Sequence, residues 1–181
     1  MPHLTDEQIK KLEMTANTIR QDIIEMLLEA KTGHSAGPLG MADVFTVLYH
    51  TDAIKHNPKN PEWEERDRVV LSNGHICPVL YSAMARAGYF PPEELKTLRK
   101  FGSRLQGHPH RLMLPGLETS SGPLGSGLSQ SAGMAYAFKM DNKKNQVICL
   151  MGDGELNCGQ VWEATMWAGK NKLDNLTAII D

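Results

Sequence analysis

One stretch constrains this chain more than any other: Gln146 to Glu155, QVICLMGDGE. A short apolar run that stops at Gly-Asp-Gly predicts a buried strand and then a tight turn with one carboxylate exposed at its tip. In an α/β sheet, ligands bind outside the carboxyl ends of the strands. An Asp between two glycines suits a hard cation, and the glycines let a phosphate approach the backbone. The rest of the chain would then have to supply the remainder of a phosphate and cofactor site.

The length, 181 residues, suits one domain with a sizeable core. A net charge of −2 gives no bulk pull toward nucleic acid or a membrane surface, and neither is expected as a partner. No apolar run is long enough to span a bilayer, and MPHLTDEQIKK lacks the apolar core of a signal peptide, so the expected location is cytoplasmic. Cys77, Cys149 and Cys158 form no CxxC and are expected to be reduced thiols.

Thr5 to Ala30 predicts a long helix, with a capping start at Thr5-Asp6-Glu7-Gln8, an apolar face through Ile9, Leu12, Ala16, Ile19, Ile23 and Leu27, and Gly33 as C-cap. The loop TGHSAGPLGMAD comes next, in which Pro38 begins a helix over Leu39 to Tyr49. HNPKNPEWEERDR predicts a polar surface loop. Val69 to Leu71 predicts a strand leading into SNGH, His75 to Ala87 a helix closed by Gly88, and Pro92 to Phe101 a second short helix. Residues 102 to 127 form a long loop whose specific composition points to function. Leu128 to Lys139 is a small-residue helix suited to close packing at a subunit contact. Gly159 to Ala168 predicts a helix and Leu176 to Ile180 a buried parallel strand. Strand, turn, helix, strand is a βαβ unit. The fold class is α/β, with a mainly parallel central sheet flanked by helices. The chain is expected to be one domain, incomplete on its C-terminal side, because Asp181 stands where a ligand loop should begin.

Three histidines each follow a glycine in or beside a predicted loop: His34, His75 and His108. Such imidazoles can donate to phosphate or act as acid and base near their ordinary pKa. His108-Pro109-His110 lacks the spacing of a zinc site. GxGxxG after a first strand, Walker A and GxSxG are all absent. A GDG turn directly after an apolar strand remains, and it points to a metal–diphosphate site.

Taken together, KTGHSAGPLGMAD, HNPKNPEWEERDR, VVLSNGH, TSSGPLGSGLSQSAGMA and GDGELNCGQVWEA resemble transketolase, over roughly residues 10 to 181. The closer likeness is to the N-terminal, diphosphate-binding subunit of split two-subunit bacterial forms. The resemblance implies thiamine diphosphate with Mg²⁺ or Ca²⁺, and transfer of a two-carbon ketol unit from a ketose phosphate to an aldose phosphate. Asp153 matches the metal-ligating Asp, and Gly154 the residue whose backbone meets the diphosphate. His75 matches a His that contacts the cofactor near its diphosphate. Gly122 and Leu124 match backbone positions beside the cofactor's rings. His34 and His108 match histidines facing the donor sugar, and Glu163 a glutamate in the carboxylate network at the dimer interface. The implied partners are sugar phosphates, a C-terminal transketolase subunit carrying the pyrimidine-binding domain, and a second copy of the chain in a homodimer or heterotetramer.

Three departures qualify the resemblance. The family's second metal ligand, an Asn, falls just past Asp181. Cys158 stands where an interface Glu is usual, and His110 replaces the Glu of GHPE. They keep open a non-catalytic homologue with an assembly or regulatory role. A related enzyme such as deoxyxylulose-phosphate synthase is the other alternative.

Overall fold

A computed structural model describes residues 4–181. Its centre is a parallel three-stranded sheet ordered β1 (Arg68–Leu71), β2 (Val147–Met151) and β3 (Leu176–Ile180). Val70 stands opposite Cys149, and Cys149 opposite Ala178. The QVICLM run is β2, the middle strand, and all of Val147–Met151 is buried.

The helices are α1 (Asp6–Ala30), α2 (Ala36–Gly40), α3 (Ala42–His50), α4 (Cys77–Ala87), α5 (Gly127–Met140) and α6 (Gly159–Lys170). Successive strand side chains point to opposite faces. Val69, Leu71, Ile148 and Leu150 therefore join a core with Ile19 and Ile23 of α1, Phe45 of α3 and Leu80 of α4. Val70, Val147, Cys149 and Met151 join a second core with Leu128 and Ala135 of α5 and Val161 of α6. The result is a sheet between two helical layers, the α/β arrangement read from the sequence.

The start of α1 is as predicted: Thr5 Oγ1 accepts the Gln8 amide at 3.2 Å, and Gln8 Oε1 accepts the Thr5 amide at 2.8 Å. Several boundaries differ. The left-handed residue that ends α1 is Lys31, with φ 53°, and Gly33 makes the next turn at φ 130°. The helix expected over Leu39 to Tyr49 starts earlier and divides at Met41, whose ψ of 0° loosens one turn. Pro38 lies within α2, where a first-turn residue has no partner for an N–H. The segment after β1 opens with a 3₁₀ turn, Gly74–Ile76, before α4 begins. The helix expected to reach Phe101 is a 3₁₀ turn, Pro92–Thr97, ended by the extended ψ of Leu98 and the left-handed φ of Arg99.

The polar loop before β1 is not wholly at the surface. Arg66 and Asp67 are buried at its end. The Asp67 carboxylate accepts the amides of Lys55 and Gln146, each at 2.7 Å, and Arg66 pairs with Glu118. β3 pairs only with β2, so Thr177, Ala178 and Ile180 are exposed where a buried strand is expected. The three cysteines are free thiols. No helix among the described residues is long and apolar enough to cross a membrane.

Candidate active site

The carboxyl ends of β1 and β2 lie side by side, and the turns leaving them make the floor of a site. Ser72, Asn73, Gly74 and His75 come directly after β1; Gly152, Asp153 and Gly154 come directly after β2. The Asp153 amide donates to the Asp181 carbonyl at 2.8 Å, and the Asp181 amide to the Met151 carbonyl at 3.0 Å. The turn is thus pinned to the end of β3.

Glu155 joins these pieces, and nothing in the sequence singled it out. It is 2% exposed. Its Oε1 accepts from Ser72 Oγ at 2.5 Å and from the Gly125 amide at 2.7 Å; its Oε2 accepts the Gly152 amide at 2.9 Å. Ser72 Oγ in turn accepts the Gly127 amide at 3.1 Å. One buried carboxylate therefore fastens the ends of both strands to the loop that carries Gly122 and Leu124. Gly125 bends that loop with φ 83°, and a Cβ on Gly127 would stand 2.8 Å from the Ser72 backbone. Only glycine permits so close an approach of α5 to β1.

The structure brings the three glycine-preceded histidines together. The rings of His34 and His75 have centroids 4.9 Å apart. The His108 ring lies 3.3 Å from where a Gly74 Cβ would be. His75 is half-buried, whereas His34 and His108 are exposed. Burial, then the neighbouring His34 and His108, lowers the His75 pKa; the Glu155 charge opposes this. Burial, then the Arg99 charge, then His34, lowers that of His108. Both imidazoles are held toward their neutral form, able to accept a proton or hydrogen bond as well as donate one.

The residues around this floor fit a diphosphate-bearing ligand. A Cβ on Gly122 or Gly154 would meet nothing within 4 Å, so both backbones face open space. Ser121 Oγ is buried with no hydrogen-bond partner, directly against the place a Gly74 Cβ would take, and so is a polar group left for a ligand. The exposed Asp153 carboxylate accepts the Gly154 amide through Oδ1 at 2.7 Å. Among the described residues no three His, Cys, Asp or Glu side chains cluster as a metal cage. A cation here would rely on Asp153 and on oxygens of a ligand, as Mg²⁺ with a diphosphate does.

Other singled-out residues lie apart or differ. Leu124 is 49% exposed beside the glycine loop. Glu163 is exposed on α6, in a groove of about 370 Å³ with Ser129, Gly133 and Trp167, and is not among the histidines. His110 Nδ1 accepts the Leu112 amide at 3.3 Å, within its own turn. Cys158 packs on the glycine loop: a Gly125 Cβ would stand 2.9 Å from its Sγ.

The fold and this floor define an α/β domain with a diphosphate-type site at the carboxyl edge of a parallel sheet. Residues 11–181 match the family described as transketolase, thiamine diphosphate binding domain, and the chain belongs to that family. It is 42% identical to the 6-deoxy-6-sulfo-D-fructose transketolase subunit of Clostridium sp. (strain MSTE9), over 98% of this chain and 64% of that one. It is also 42% identical to one of the subunits of the apulose-4-phosphate transketolase of Phocaeicola vulgatus, over 96% of this chain and 61% of the relative. Human transketolase is 42% identical over 99% of this chain, which covers 29% of the human protein. The crystal structure of transketolase from Campylobacter jejuni superposes with a TM-score of 0.88 at 40% identity, over 94% of this chain and 28% of that one. The chain thus spans less than two thirds of the two subunit relatives and under a third of human transketolase.

Proposed function

We propose that this chain is the diphosphate-binding part of a split transketolase and transfers a two-carbon ketol unit between sugars. It would act with a C-terminal subunit that brings the pyrimidine-binding domain, and with a second copy of itself. The observation that carries the proposal is the meeting of His34, His75 and His108 beside the GDG turn, on a domain of the thiamine-diphosphate family. The two relatives named as subunits support the split arrangement. Their names also point to sugars with an anionic group, a sulfonate or a phosphate, as the substrate class.

In this proposal Asp153 holds Mg²⁺, and the backbones of Gly154 and Gly122 with Leu124 flank the cofactor. Thiamine diphosphate supplies, when bound, the carbanion chemistry that cleaves a bond next to a ketone. His75 contacts the diphosphate end. His34 and His108 hydrogen-bond the sugar's carbonyl and hydroxyl oxygens and move protons there. Glu163 belongs to the contact between copies.

A non-catalytic assembly protein is the second reading, favoured by Cys158 in place of an interface glutamate. Calorimetric titration of thiamine diphosphate into the full-length protein plus its partner, with and without Mg²⁺, separates the two. Saturable binding that needs the metal is expected, and binding that ignores the metal or does not occur ends the enzyme reading.

A further inference from the structure

Two turns in the floor of the site each close on themselves. Gly152 to Glu155 is the first. The Glu155 amide donates to the Gly152 carbonyl at 3.0 Å, and the Glu155 carboxylate accepts the Gly152 amide at 2.9 Å, with Asp153 and Gly154 between them. Pro123 to Ser126 is the second. Ser126 Oγ donates to the Pro123 carbonyl at 2.7 Å, with Leu124 and Gly125 between them. In the function proposed above, the first turn takes the metal and diphosphate, and the second flanks the cofactor's rings. A cofactor that spans both needs them at a fixed spacing.

Glu155 sets that spacing. Its Oε1 reaches across to the Gly125 amide at 2.7 Å, while Oε2 stays on its own turn. Packing adds a second hold: a Cβ on Gly125 would stand 2.7 Å from the Cβ of Cys158, at the end of the same segment. Other carboxylates taken out of water are held differently. Those of Asp22 and Glu118 are met by the guanidinium groups of Arg86 and Arg66. Glu155 forms no ion pair among the described residues and accepts from a hydroxyl and two amides instead. Such donors offset the hydration that a buried carboxylate loses. Asp67 is its counterpart at the opposite end of the strands, where it joins the Lys55 and Gln146 amides away from the site.

We propose that Glu155 is a positioning residue for the cofactor: its carboxylate holds the Asp153 turn and the Leu124 turn at one spacing, so that a diphosphate taken by the first finds the second already set for the rings it carries. Order imposed before binding is not drawn from the binding free energy. The carboxylate touches no ligand itself and acts through the amides of Gly152 and Gly125. The proposal rests on the cofactor site described above and adds to it a residue outside the ligand contacts.

The test uses the full-length protein with its partner, as wild type, Glu155→Gln and Asp67→Asn. A side-chain amide has one acceptor oxygen where a carboxylate has two. Glu155→Gln therefore keeps the volume but can serve Gly125 or Gly152, not both. Thiamine diphosphate and inorganic diphosphate, each with Mg²⁺, are titrated by calorimetry below the thermal transition of each protein. Inorganic diphosphate carries no rings and probes the first turn alone. In Glu155→Gln the preference for thiamine diphosphate over inorganic diphosphate is expected to fall about 10- to 100-fold, the weight of one buried donor left without its acceptor. Asp67→Asn is expected to lower the thermal midpoint and leave that preference unchanged. A preference unchanged in Glu155→Gln, whether both ligands weaken equally or neither does, makes Glu155 a support of the fold or of one turn only and overturns the proposal. A fall of the same size in Asp67→Asn overturns it too. A second measurement needs no variant. Hydrogen exchange of wild type is followed by mass spectrometry with and without Mg²⁺ and inorganic diphosphate. Slower exchange in the peptide containing Gly125, as well as in that containing Gly152, supports the link; slowing confined to Gly152 refutes it. If wild type binds neither ligand in a metal-dependent way, the cofactor site fails and this proposal with it. Metal-dependent binding to wild type with an unchanged preference in Glu155→Gln ends the proposal alone.

Discussion

At the scale of single residues, the candidate site divides sharply by role. Asp153 is exposed, so removing its carboxylate is expected to leave the fold intact. Asp153→Ala is expected to abolish Mg²⁺-dependent thiamine diphosphate binding in the assembled enzyme; calorimetry showing unchanged affinity would remove Asp153 from the metal site. His108→Ala is expected to lower ketose turnover by about 10²- to 10⁴-fold, the usual weight of a positioned acid or base, with cofactor affinity nearly intact. A large affinity loss would instead place His108 against the cofactor. The lowered pKa values of His75 and His108 have a definite sign in solution. The unfolded imidazoles hold the higher pKa, so unfolding takes up protons, and the stability these histidines allow at neutral pH is lost as pH falls from about 6.5 through their folded values. Their ring resonances should titrate below about 6.5 in the folded chain; a midpoint above that value would contradict the burial that lowers them. The histidines and Asp153 were legible in the sequence because each carries its own local mark, a preceding glycine or a glycine pair. Glu155 was not. An acid in a polar glycine turn looks solvated, and the donors that bury it, Ser72 and Gly125, lie 83 and 30 residues away in the chain.

At the scale of elements, the site depends on how closely α5 approaches the end of β1. Gly127→Ala would drive a methyl into the Ser72 Cβ and to 2.8 Å from its backbone. Neither is the far end of a flexible side chain, so the strand end or the helix must move. A loss of about 1–3 kcal/mol is expected, the usual range for overpacking, and denaturant unfolding measures it. Stability unchanged by the substitution would mean that α5 is free to shift. Existence and type of the main elements were legible because their signals are local: the capping box of α1, the apolar run of β2, Gly88 closing α4. The differences fall where backbone torsions outweigh pattern. Polar, helix-forming residues continue from Pro92 toward Phe101, yet Leu98 and Arg99 turn away because Arg99 bonds the Leu105 carbonyl. No periodicity encodes that bond.

At the scale of the whole molecule, two helices packed on each other carry exposed apolar residues. Tyr136 and Met140 on α5 and Trp162, Met166 and Trp167 on α6 are exposed, and Tyr136 meets Trp167 edge-on at 5.1 Å. Isolated apolar residues on a surface are ordinary, but exposed aromatics that meet across two packed helices, as Tyr136 and Trp167 do, are of the kind that marks an interface. Glu163 stands in the groove on the same side, beside Gly133, where a Cβ would meet nothing within 4 Å. The small residues of α5 read from the sequence as a packing face are thus partly spent inside, at Ala132 and Ala135, and partly left open, at Gly133. In the proposed enzyme a second copy covers this face. Met166 is 74% exposed, so Met166→Glu removes little internal packing, and a surface change of this kind moves stability by no more than about 0.5 kcal/mol. Against a partner copy it would bury a charge in an apolar contact, which is costly without a counter-ion. Met166→Glu is therefore expected to shift the assembled protein toward smaller species in analytical ultracentrifugation while its thermal midpoint stays close to that of wild type. If the sedimentation profile is unchanged, the copies meet elsewhere; if the thermal midpoint collapses as well, Met166 serves the fold of the chain and not its assembly.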